Sequence, residues 1–180
     1  MITLIVGTTG SGKSKKAESI ALKQAKGGEK VYVATMIPFG KEGETRVKKH
    51  RRMRFGKGFK TIECPTDVHK VGESLIKMKR PTVLLECMSN LVGNELYKFE
   101  NAEKGDNAME ELIVNSVMKL AGSAVNMIIV ANEFPEDDEN YDEETKRFVF
   151  LCHKVNENLA GKADVVERLE NGEWKRIENN

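Results

Sequence analysis

Residues 7–14 of this 180-residue chain are Gly7, Thr8, Thr9, Gly10, Ser11, Gly12, Lys13 and Ser14, a full match to G-x-x-x-x-G-K-[S/T]. No other stretch restricts the fold as much, because this pattern works only between a strand and a helix. The glycines let the backbone curl until its N–H groups converge on phosphate oxygens. The helix that follows adds the partial positive charge of its N-terminus. Both neighbours are present. Residues 2–6 form a short β-branched strand, and Ala17, Ile20, Ala21 and Ala25 recur at helical spacing until Gly27 and Gly28 stop the helix. In such a loop Lys13 reaches the β and γ phosphates of a nucleotide, and the Ser14 hydroxyl completes a Mg²⁺ shell. The motif therefore predicts ATP or GTP as substrates, with Mg²⁺ as the cofactor.

Further along, strands are predicted at 30–35, 59–64, 82–86, 127–131 and 163–169. Helices are predicted at 42–54, at 67–78 with Asp67 or Thr66 as cap, from near Ser89, at 108–121 and at 143–159. Residues 100–106 read as a solvated connection and 133–140 as an acidic loop. The run Thr-Val-Leu-Leu-Glu at 82–86 is apolar until its last residue, which suits a central parallel strand covered on both faces. Asn171-Gly172 between two strand-like runs is a hairpin signal. Strands alternating with helices imply an α/β P-loop NTPase fold, with a mostly parallel central sheet flanked by helices and an antiparallel C-terminal hairpin. The length and the lack of a linker or repeat point to one domain over 1–180.

Composition removes several classes. With 29 basic and 28 acidic residues the net charge is +1, so there is no global attraction to nucleic acid or acidic membranes. No apolar run approaches the roughly 20 residues of a membrane span, and the apolar N-terminus is too short for a signal peptide. Cys64, Cys87 and Cys152 are far apart and read as free thiols of a cytoplasmic protein.

A magnesium partner is expected at the end of a buried strand. Glu86 is the first candidate and Glu133, after 128–132, the second. The segment from Arg46 to Lys57 also carries Lys48, Lys49, Arg51, Arg52 and Arg54 around a single histidine, His50. It has three readings: a solvated helix face, a nucleic-acid patch, or a second set of phosphate-binding groups. The near absence of interleaved aromatics, Phe55 excepted, argues against nucleic acid. Flanking cations favour the neutral, nucleophilic imidazole at His50, which could attack phosphorus and carry a covalent intermediate. His69 and His153 lack such a setting and read as structural.

Assembled in order, these segments resemble the bifunctional adenosylcobinamide kinase/adenosylcobinamide-phosphate guanylyltransferase family of cobalamin biosynthesis. The matching residues are Ser11 to Ser14, Tyr32 to Thr35, Arg46 and Val47 with His50 and Arg54, and Phe59, Thr61 and Glu63 with Phe in place of Trp. Leu84 to Cys87, Asn94, Val130 to Glu133, and Asn156, Leu159, Ala160, Ala163, Asp164 and Val166 continue the match. The resemblance implies a RecA-like sheet and two reactions. One phosphorylates the aminopropanol hydroxyl of adenosylcobinamide with ATP or GTP. The other transfers GMP from GTP to that phosphate through a GMP–histidine intermediate on His50. It also implies nucleotide contacts from Gly7 to Ser14, Ala34, Thr35, Met36, Arg51, Arg52, Met53, Arg54, Glu63 and Glu86, a corrinoid partner, and a trimer-based homo-oligomer. The chain departs from the family pattern at 134–140, at Val149-Phe150 in place of an Arg-Asp pair, at His153 in place of glycine, and at Phe55 in place of proline. The phosphate loop and His50 are untouched. Two rival readings remain: a small-molecule kinase without the transferase step, and a nucleotide-dependent regulatory or nucleic-acid-binding protein.

Overall fold

A computed structural model describes residues 1–135 and 138–179, so the predicted acidic loop at 133–140 lies partly outside the described residues. In chain order the elements are β1 (Ile2–Gly7), α1 (Lys13–Ala25), β2 (Lys30–Ala34), α2 (Gly40–Arg54), β3 (Phe59–Glu63), α3 (Val71–Leu75), β4 (Thr82–Glu86), α4 (Met88–Leu96), α5 (Asp106–Gly122), β5 (Asn126–Asn132), α6 (Glu143–Lys162), β6 (Val165–Glu170) and β7 (Glu173–Glu178). They form a seven-stranded sheet in the order β3-β2-β4-β5-β1-β6-β7. Every neighbouring pair is parallel except β6 with β7. The expected mostly parallel sheet with an antiparallel C-terminal hairpin is the observed one.

Side chains alternate across the strands and sort into two cores. Ile5, Leu84, Ile128 and Val130 face α1 and meet Ala17 and Ala21. Leu4, Val6, Val83, Leu85 and Ile129 face the opposite layer, where α4, α5 and α6 supply Leu91, Ile113, Val117, Leu151 and Val155. All five residues of β4 are buried, as its apolar run requires. Fully burying a side chain such as Leu84 or Ile129 stabilises the fold by about 1.5–3 kcal/mol. At the hairpin, Asn171 (φ 50°) and Gly172 (φ 82°) both take the left-handed conformation that a two-residue turn demands.

Two expectations need correction. The helix predicted over 67–78 is a 3₁₀ turn, Val68–Lys70, followed by the short α3. Asp67 does not cap it: its φ is 51°, its carboxylate is drawn away to Lys98 and Lys70, and its own N–H donates to Glu95 Oε1 at 2.6 Å. The solvated connection predicted at 100–106 hides a buried amide. Asn101, 6% exposed, closes a second 3₁₀ turn and donates to the backbone carbonyl and carboxylate of Glu95. Among the described residues no helix is long and apolar enough to cross a membrane.

Candidate active site

The phosphate loop leaves β1 at Gly7 and enters α1 at Lys13. Gly10 (φ 80°) and Gly12 (φ 84°) make the left-handed turns that let the loop curl back. Gly7 is close-packed rather than left-handed: a Cβ there would sit 2.9 Å from Ser11 Oγ, so the serine side chain would have to turn aside. Gly12 is the N-cap of α1 and no side chain caps the helix, so its first N–H groups remain available to an anion. Lys13 is 7% exposed and donates from Nζ to the Thr8 carbonyl at 2.9 Å. Burial pushes its ammonium below the ordinary lysine value, against the raising effect of Cys87 and Glu86. Such a group gains most from an anionic partner. The buried Ser11 hydroxyl has no protein partner.

Glu86, at the end of β4, gathers the site. Its Oε1 accepts from the Ser14 hydroxyl, and His50 Nδ1 lies 3.5 Å from the same oxygen. The Tyr32 phenol bonds the same carboxylate. Burial alone would raise the Glu86 pKa, but hydrogen bonds from His50, Ser14 and Tyr32 outweigh it and hold the carboxyl below its ordinary value. Tyr32 responds in the opposite sense, its phenol pushed up by burial and by the Glu86 charge. Thr35 fixes the next residue: its hydroxyl donates to the Cys87 carbonyl and accepts from the Cys87 N–H, both at 2.8 Å. Asn94 bridges the Thr35 and Pro65 carbonyls at 2.7 and 2.9 Å, splinting the exits of β2 and β3.

Helix α2 brings His50 to this point while burying only Gly43 and Arg54. Arg54 lies 3.3 Å over the Tyr32 ring centre, a cation–π contact, and its buried Nε has no protein partner. Just past the helix, Lys57 pairs with Glu18 of α1, a carboxylate 5% exposed. Arg51 pairs with Glu63 of β3 at 2.9 Å, both side chains being exposed.

Of the residues singled out in the sequence, Ser14, His50, Met53, Arg54 and Glu86 line one small hollow. Lys13 belongs to the same electrostatic cluster through Glu86. Ala34 ends β2 and accepts from the Cys64 N–H at 2.8 Å, and Met36 follows half-buried. Arg51 turns to Glu63, and Arg52 is exposed. Glu133 lies 3.6 Å from Arg168, so of the two acids Glu86 is the one in contact with Ser14. The purely cationic surroundings expected for His50 are corrected by the Glu86 carboxylate, which belongs to a strand distant in sequence. His69 bonds Ser116 and His153 bonds the Phe134 carbonyl, as structural histidines do.

Sequence reasoning missed Glu18, Tyr32 and Lys57 as site residues. A signal existed for Glu18: it lies four residues after Ser14, on the same face of α1.

A glycine loop between a buried strand and a helix, with a strand-end carboxylate on its serine, defines a P-loop nucleotide-binding protein of the α/β class. A solved structure titled "ATPase Domain of G40P" shares this fold, with a TM-score of 0.57, 14% identity, and cover of 94% of this chain and 69% of that one. Residues 3–177 match the family model described as cobinamide kinase / cobinamide phosphate guanyltransferase, and the chain belongs to that family. No curated protein matches it.

Proposed function

We propose that the chain phosphorylates adenosylcobinamide with ATP or GTP, and that it also transfers GMP from GTP to the resulting phosphate through a GMP–His50 intermediate. The observation that carries this is the meeting at Glu86 Oε1, where the phosphate-loop serine and the His50 ring share one carboxylate oxygen. A histidine there would stand beside phosphates held by the loop, whereas a lid residue or a solvated helix face has no reason to reach it.

In this reading the loop amides from Gly7 to Ser14 and the Lys13 ammonium hold the phosphates. A His50 ring nitrogen forms a bond to the α-phosphorus of GTP while the bond to pyrophosphate breaks. The phosphate of the corrinoid then attacks that phosphorus, and the P–N bond breaks to restore His50. Arg54, Met53, Glu63 and the stretch from Ala34 to Met36 bound the guanine-nucleotide side. Ser14 and Glu86 are oxygen donors already in contact, which fits Mg²⁺, a cation that takes one or two protein oxygens beside substrate phosphates and water. When bound there it neutralises the charge on the phosphates. Family resemblance adds a trimer-based assembly.

The test is intact-mass analysis after incubation with GTP and Mg²⁺. A wild-type adduct of one GMP, acid-labile and lost in His50→Ala, is expected. Unmodified wild-type protein that still phosphorylates adenosylcobinamide would leave only the kinase half standing.

A further inference from the structure

A groove of about 590 Å³ opens on the side of the phosphate loop away from His50, between α1 and the C-terminal hairpin. Small-molecule sites occupy roughly 300–1,000 Å³, so the space suits a nucleoside. It starts at Gly12 of the phosphate loop and runs past Lys16 and Ile20 of α1 to Trp174, Glu167 and Arg176 of the hairpin. The sheet order sets the direction: β6 and β7 lie on one side of β1, while β4 and β2, which carry the Glu86 and Thr35 side of the site, lie on the other.

The lining has the chemistry of a nucleoside seat. Trp174 is the only tryptophan of the chain, and Lys16 Nζ rests 4.8 Å from its ring centre, so the indole turns a face toward a groove-lining helix. Glu167 is 6% exposed and is held by Lys16 at 3.0 Å and Arg176 at 3.2 Å. These two cations fix the carboxylate and leave lone pairs that can accept from hydroxyl donors. A fixed acid beside a phosphate-binding loop is how other nucleotide sites take the ribose hydroxyls. The salt bridges account for the charges, and the core accounts for part of the indole, since Trp174 packs against the α1-side cluster. The ring is only half-buried, and it also lines the open groove that ends at the phosphate loop.

We infer that this groove seats the nucleoside end of the nucleoside triphosphate used in the phosphorylation step, with the base against Trp174 and the ribose hydroxyls on Glu167. This rests on the nucleotide reading proposed above and separates the kinase nucleotide from the His50 side of the loop. The seat reads a flat base and a ribose diol.

The test uses ATP, which cannot donate GMP, and inorganic tripolyphosphate, which has phosphates without a nucleoside, both with Mg²⁺. Trp174 emission should change saturably with ATP and stay constant with tripolyphosphate, while calorimetry detects both binding. Trp174→Ala should weaken ATP binding about tenfold, the scale of one base–aromatic stack, and leave tripolyphosphate binding as in wild type. Trp174→Phe should restore most of the ATP affinity, which separates stacking from misfolding. Glu167→Gln should reduce the preference for ATP over 2′-deoxy-ATP. Equal ATP binding by wild type and Trp174→Ala, or the same emission change with tripolyphosphate, overturns the seat while the phosphate loop stands. Failure of wild-type protein to bind ATP, GTP or tripolyphosphate with Mg²⁺ sinks both.

Discussion

The phosphate loop and helix α2 carry the two halves of the proposed chemistry and are held in contrasting ways. The loop is fixed at both ends by buried structure: Leu4, Ile5 and Val6 before it, and Ala17 and Ala21 after it, are 0–1% exposed. Helix α2 buries two of its residues and is tied down by contacts near its C-terminal end, Arg54 on Tyr32 and, just beyond it, Lys57 on Glu18. An anion cradle made of backbone N–H groups needs a rigid frame, because its donors cannot re-aim themselves. A nucleophile that meets phosphorus in one reaction and stays clear in another is better placed on an element held by a few polar ties.

His50→Ala breaks the comparison most sharply. GMP labelling should vanish while the phosphorylation rate stays within about threefold of wild type, since only the covalent step uses the ring. A rate that collapses in both reactions would show that α2 is part of the cradle. Lys13→Ala should lower both reactions by on the order of 10³-fold, since it removes a preorganised charge from the phosphates in each. Initial rates with saturating corrinoid decide the matter, and a variant impaired in only one reaction would contradict a shared loop. Glu86→Gln, at the junction of the two regions, should raise the Mg²⁺ concentration for half-maximal rate about tenfold, a loss of roughly 1.4 kcal/mol.

Two smaller effects sharpen the picture. Lys57→Gln leaves Glu18 buried without its cation, and should slow labelling of His50 about threefold with little change in phosphorylation. Comparing single-turnover labelling with steady-state phosphorylation resolves this. The pH dependence follows from Glu86, whose folded pKa lies below its ordinary value. Its stabilising contribution is complete above about pH 4.3 and fades as pH falls toward the folded value. In nucleotide-free protein, the melting-temperature deficit of Glu86→Gln should therefore be constant near neutrality and shrink in acid. A deficit that grew in acid would reverse the assigned direction.

The sheet was legible because each of its buried strands is a short apolar run next to a turn signal, and the hairpin because Asn171-Gly172 fits only a tight turn. The phosphate loop was legible for the same local reason: one continuous stretch of eight residues specifies it. What could not be read is what depends on side chains meeting across the fold. The Glu95 carboxylate, 28 residues from Asp67, takes the N–H that begins the 3₁₀ turn and unmakes the expected cap. Glu18 and Lys57 are 39 residues apart, and no periodicity marks them as partners. His50 and Glu86 each stood out alone, but their contact exists only after α2 folds back over β4.

Strand β5 separates the loop strand β1 from β4. Two inter-strand steps of about 4.8 Å therefore stand between the backbone that carries the glycines and the backbone that carries Glu86. β5 supplies no residue to the proposed ligand set, yet its width is the gauge that spaces serine from carboxylate. A bulge inserted at Ile129 would shift that register by about one residue, roughly 3.3 Å. It would misalign the donors without touching either of them, so the tolerances of this site are written partly in a strand that performs no chemistry.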